Sequence, residues 1–161
     1  MTLREIAQKT LTAFEAQLEI LGVEIPERRY VSPGVIPVWD GEQLVVNLQQ
    51  RGQGQPGAPF EGSFVPGVEN FHAQFAVSLV RAVPALSGEG PLEAMIPDAG
   101  ELGEAGLSAM DDAEALEKAA VAVHGDFVLT ELGQGFAING CSTMGPEGGL
   151  ASTRLLFTIS L

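Results

Sequence analysis

Cys141 with His72 or His124 is the one thiol–imidazole combination this chain could offer for nucleophilic chemistry. A thiol becomes a nucleophile when an oriented base or a cationic neighbour activates it. Nothing in the spacing supplies that base, and a lone free Cys reads first as a small core residue. Two His and one Cys, widely separated, do not make a zinc pattern either. Asp111 and Asp112 with Glu114 form a short acidic run, but at helical spacing such residues splay around the helix. They read as a solvated face before they read as a metal site. Gly145-Pro-Glu-Gly-Gly149 has the glycines of a phosphate loop without its Lys and Ser/Thr, and Glu147 would repel phosphate. It joins two strands and reads as a hairpin turn. Trp39-Asp40 is a packed aromatic beside a turn. These residues give no catalytic centre, so no cofactor and no metal are expected.

The charge is more informative. The formal net charge is -13 over 161 residues. Residues 85 to 126 hold ten acids against Lys118 alone, whereas Arg28, Arg29, Arg51 and Arg81 all precede residue 85. A surface so acidic repels nucleic acid and argues against sequence-specific DNA or RNA binding. It leaves room for DNA that slides past without sticking. No run of 18 apolar residues is present, so no membrane span is expected. No basic segment with an apolar core opens the chain, which gives no sign of a signal peptide. One Cys fits a reducing, cytoplasmic setting.

The elements that must position these residues follow from periodicity. Thr2 and Glu5 form a capping box ahead of Leu3, Ile6, Ala7, Leu11, Phe14, Leu18 and Leu21, an apolar stripe at three- and four-residue steps. The spacing predicts a helix over 3–21, closed by Gly22. Residues 24–33 read as a connector. Residues 35–39 and 43–50, around the Asp40-Gly41 turn, read as a hairpin with an edge-like first strand, because Pro37 cannot donate to a ladder.

Residues 51–69 carry no period and are rich in Gly, Pro and Gln. Phe60 and Phe64 within them suggest a loop that docks on a neighbour. The longest strand candidate is 70–83, with Arg81 on its apolar phase and therefore in need of a carboxylate partner or an outward reach. Asp98 and Glu101 repeat the capping logic for an acidic helix over 98–123, whose first turns are weakened by Gly100, Gly103 and Gly106. Its expected apolar stripe is Leu102, Ala105, Ala109, Ala113, Leu116, Ala120 and Val123. Segments 127–131, 135–141 and 150–161 complete the sheet. The last alternates Thr153, Leu155, Phe157 and Ile159 against Arg154, Thr158 and Ser160. The reading is one α+β domain over 1–161, a mixed or antiparallel sheet with both helices on one face, in the order αβββαββ. At this length it can bury roughly 70% of its unfolded surface.

Several segments taken together carry a resemblance. They are Pro26-Glu-Arg-Arg-Tyr-Val-Ser-Pro-Gly34, the stretch from Val35 to Val46 with Trp39-Asp40 before Gln43-Leu-Val-Val46, and Leu79-Val-Arg-Ala-Val-Pro84. The Ala-rich acidic stretch from Asp111 to Ala120 and the closing Gly145-Pro-Glu-Gly-Gly-Leu150 with its strand complete the set. The chain resembles, over nearly its whole length, the tail terminator proteins of long-tailed phages infecting actinobacteria. Relatives often carry Cys after the Arg of the third segment, where this chain has Ala82.

The resemblance implies a structural virion protein, assembled in the host cytoplasm. It implies a hexameric ring on the head-proximal end of the tail tube, which stops tube polymerisation and offers a surface to the head-side connector. The implied partners are other copies of the chain, the major tail tube protein and the connector or stopper protein, with genomic DNA crossing the lumen without sequence-specific binding. A ring joined head to tail needs two different complementary patches on one subunit. Arg28, Arg29 and Arg81 on one side, and Asp111, Asp112, Glu114 and Glu117 on the other, are the candidates for that interface. Loops 51–69, with Phe60 and Phe64, and 142–149, with Met144 and Glu147, are candidates to reach a neighbour or the tube. A head-completion or stopper protein is the alternative within the neck. An acidic module that binds a peptide along an open sheet edge is the alternative outside it.

Overall fold

The computed structural model describes residues 2–32, 41–53, 71–85, 96–125, 136–147 and 149–161. The expected strands at 35–39 and 127–131 fall wholly outside these residues, as do residues 54–69 of the expected loop with Phe60 and Phe64; residues 51–53, expected in that loop, instead extend a strand.

Helix α1 spans Leu3–Ile20 and begins in a complete capping box: the Glu5 amide donates to Thr2 Oγ1, and the Thr2 amide donates to Glu5 Oε2 at 2.7 Å. It ends in the double bond of a Schellman motif. The Val23 amide donates to the Leu18 carbonyl and the Gly22 amide to that of Glu19, with Gly22 at φ 74°. Ile6, Ala7, Phe14 and Leu18 are buried as the stripe requires, whereas Leu21 stays 42% exposed beyond the last turn.

The five strands are β1 (Arg28–Ser32), β2 (Gln43–Gln53), β3 (Phe71–Ala82), β4 (Phe136–Glu147) and β5 (Leu150–Ser160). Helix α2 (Ala99–Gly125) stands between β3 and β4 in the chain, so the order is αβββαββ. The sheet runs β1-β2-β3-β5-β4. β1 is parallel to β2 and every other pair is antiparallel, which makes the sheet mixed.

One expectation changes here. The described strand beside β2 is not the second arm of a tight hairpin. It is Arg28–Ser32, drawn from the segment that reads as a connector, and it pairs in parallel. Only Ser32 of its five residues is buried, so this marginal strand carries no apolar alternation that a sequence could show. β4 also runs further than expected. It passes two register shifts, at Ile138/Gly140 and Met144/Glu147, with Gly140 and Gly145 at positive φ. Such bulges at a sheet margin absorb glycine and proline without ending the strand. Met144 and Glu147 therefore belong to a strand and not to a loop.

Both helices pack on one face of the sheet. There Phe157 stacks with Phe14, Phe75 and Phe136 at 6.2, 5.7 and 5.0 Å between centroids. Leu44, Val46, Val77, Leu79 and Leu155 join Leu116, Ala119, Ala120 and Val123 in the same cluster. α1 lies over β1 and β2, and α2 over β5 and β4. The opposite face is mixed and also buried at its centre: Val45, Ala76 and Val80 share it with Asn47, His72, Ser78 and Thr158, all nearly inaccessible. Among the described residues, no helix is long and apolar enough to cross a membrane.

Candidate assembly surface

The candidate interface residues separate into two kinds once placed. Arg81 and Asp112 face each other inside the subunit. Arg81 Nε donates to Asp112 Oδ2 at 3.0 Å and Nη2 donates to Oδ1 at 3.1 Å. Glu42 stands behind, 3.8 Å from Nη1. Burial works to lower the Arg81 pKa, but the bonds and charge of Asp112, with Glu42 and Glu24, outweigh it and hold it above its ordinary value. The apolar phase of β3 forced this pairing, because a cation there must find a carboxylate. The pair ties β3 to α2 and serves the fold.

Asp111, Glu114 and Glu117 are exposed on α2. Glu114 bonds Lys118 one turn on, at 2.6 Å, which holds its pKa below the ordinary carboxylate value. Only the second half of α2 is packed, from Asp112 to Val123. In the first half Leu102 is 42% exposed, and Leu107 and Met110 are 64% and 67% exposed. Of the expected stripe in this half, Leu102 is exposed, whereas Ala105 and Ala109 are half-buried and the Ala109 carbonyl accepts from Thr153 Oγ1. At 100° per residue, Leu107, Met110, Glu114, Lys118 and Val121 share the outward face of α2, flanked by Asp111 and Glu117.

Arg28 and Arg29 are neighbours on a strand and point to opposite sides of the sheet. Arg28 lies 5.5 Å from the Tyr30 ring centroid, and the Tyr30 hydroxyl donates to Gln43 Oε1 at 2.9 Å, on the face away from the helices. Arg29 faces α1, with Nε 4.0 Å from Glu15. Arg28 and Arg29 therefore present to different sides of the edge strand β1.

Arg29 instead shares a groove with α1. The groove, about 1090 Å³, lies between α1 and β1. Its rim carries Arg4, Lys9 and Arg29, and its floor carries Leu11, Ala13 and Val31. Arg4 and Lys9 escaped the sequence reading because they sit on the polar face of an amphipathic helix, where a cation ordinarily marks solvent. Beyond the other end of α1 is a cavity of about 430 Å³, lined by Glu24, Glu42, Asp111 and Asp112 around Arg81.

Met144 is 53% exposed on β4, and Glu147 pairs with Leu150 where β4 meets β5. Cys141 is half-buried. Burial first, and the Glu117 charge second, push its thiol pKa up, the reverse of what a nucleophile needs. His124 packs on Phe136 at 5.4 Å. Among the described residues, no group of three His, Cys, Asp or Glu is placed to hold a metal ion.

What the arrangement offers is surface chemistry. A cationic groove borders the β1 side of the sheet, and an acidic, partly apolar helix face lies over the β4–β5 side. The sequence matches no protein-family model and no curated protein.

Proposed function

We propose that the chain is a ring-forming structural subunit of a phage neck, in the tail terminator position, capping the head-proximal end of the tail tube. The observation that carries the reading is the placement of unlike charge at two separate places on one subunit, a cationic groove at the β1 edge and an acidic face on α2. Two different complementary patches on one subunit do not require the self-matching contact of an isologous dimer. They are satisfied when each copy meets the next head to tail, and such contacts close into a ring when the rotation allows. The resemblance of five sequence segments to tail terminators names the ring, and the acidity of the chain suits a lumen that DNA crosses without adhesion.

Electron microscopy of the purified protein, alone and with sheared tail tubes, tests this. Sixfold rings at one tube end are the expected result. Rings that bind the head-side connector and leave tubes bare would move the protein to the stopper position. Monomers that decorate nothing would overturn the reading.

A further inference from the structure

We infer that the groove between α1 and β1 is a socket for a second copy of this chain, and that its occupant is the outward face of α2 from the neighbouring subunit. This rests on the ring reading and names the contact within it.

The first observation is the cation inventory. The chain has eight Lys and Arg. Arg81 is held by Asp112, and Lys118 by Glu114. Arg28 and Arg51 lie 5.5 and 4.9 Å from the Tyr30 and Phe71 ring centroids, and Arg154 Nη2 donates to Gln49 Oε1. Arg4, Lys9 and Arg29 converge on one groove instead, with Glu15 touching Arg29 only at 4.0 Å. In a chain of net charge -13 this is a local concentration of positive charge that Glu15, beside Arg29, and Glu5, one turn from Lys9, offset only in part.

The second observation is that the groove is not merely basic. Leu11, Ala13, Ala16 and Val31 line it beneath the cations, and Val31 is 37% exposed. A small inorganic anion would use the rim and waste the floor.

The third observation is a ridge of the matching kind. The outward face of α2 presents Leu107, Met110 and Val121, at 64%, 67% and 63% exposure, on a helix whose opposite face already fills the core. Asp111 and Glu117 flank those side chains, and Glu114, paired with Lys118, lies among them. Apolar ridge meets apolar floor, and acidic flanks meet basic rim. That is the arrangement in which charge fixes register while apolar burial supplies the free energy. α1 and α2 lie over opposite flanks of the sheet, so a subunit cannot fill its own socket.

Charge reversal tests the contact. One variant carries Lys9→Glu with Arg29→Glu; the other carries Asp111→Lys with Glu114→Lys. All four side chains are outside the buried core, so circular dichroism and urea midpoints should show both variants folded. Sedimentation velocity and native mass spectrometry, at concentrations where the unaltered protein forms rings, should find each variant alone weakened more than about tenfold, as like charges across an interface demand. A 1:1 mixture should recover rings in which the two variants alternate, which an even-membered ring permits. If either variant assembles like the unaltered protein, or if the mixture stays monomeric, the socket is wrong while the ring reading stands. If the unaltered protein forms no rings with or without tubes, both fall.

Discussion

Between Arg81 and Asp112 run two nearly parallel bonds, the fork geometry that distinguishes arginine from lysine at a carboxylate. Both side chains are mostly shielded, at 19% and 11% exposure, so removing one strands the other. Arg81→Ala and Asp112→Ala should each cost about 2–3 kcal/mol, toward the lower end for a buried pair because Arg81 still touches water. A double replacement by Met and Leu should recover most of that loss. Urea denaturation of the three variants checks it; a double variant that loses the sum of the two single losses would mean the pair carries no net coupling. Cys141 gives a second residue-scale prediction. Burial and the Glu117 charge keep the thiol protonated, so its reaction with a disulfide reagent at pH 8 should be slow, and Glu117→Gln should accelerate it by lowering the thiol pKa. The need for a partner at Arg81 was legible in the sequence, from its apolar phase on a strand. Its identity was not, because the contact joins residues 31 apart in the chain.

At the scale of elements, legibility followed local signals. α1 was readable at both ends because its caps are made by residues within five positions of each other, and β3 and β5 because their apolar faces alternate. β1 was not, since a marginal strand with one buried residue has little pattern to show. The loose first half of α2 was misread for a related reason: Leu102 looks like core until the sheet it would need turns out to lie elsewhere. Glycine makes this testable. Gly103 and Gly106 have open space where a Cβ would stand, so Gly103→Ala and Gly106→Ala should each stabilise α2 by about 0.8–1 kcal/mol. Gly100→Ala should gain less or lose, because its Cβ would fall 2.8 Å from Asp98 Oδ2, the atom that caps the helix through the Gly100 amide. Gly22→Ala should cost about 1 kcal/mol with no clash at all, from the positive φ alone. Thermal melts of the four variants separate backbone strain from steric conflict.

On the scale of the whole molecule, salt acts on two opposing terms. A net charge of -13 on 161 residues destabilises the compact subunit by self-repulsion, and it also resists bringing copies together. The socket contact attracts, through the rim cations against Asp111, Glu117 and the Lys118-paired Glu114, over distances shorter than the screening length at moderate salt. Raising ionic strength from about 10 mM to 150 mM shortens that length from roughly 30 Å to about 8 Å. It therefore removes the long-range repulsion before it removes contacts made at a few ångströms. The subunit's melting temperature should rise over this range, and ring formation should rise with it. Near 1 M, where screening reaches about 3 Å, the exposed charge pairs weaken too and rings held chiefly by them should dissociate. A bell-shaped dependence in sedimentation velocity is the expected outcome. A monotonic increase to 1 M would mean that the apolar ridge around Leu107 and Met110 dominates the contact and that the charges set only its register.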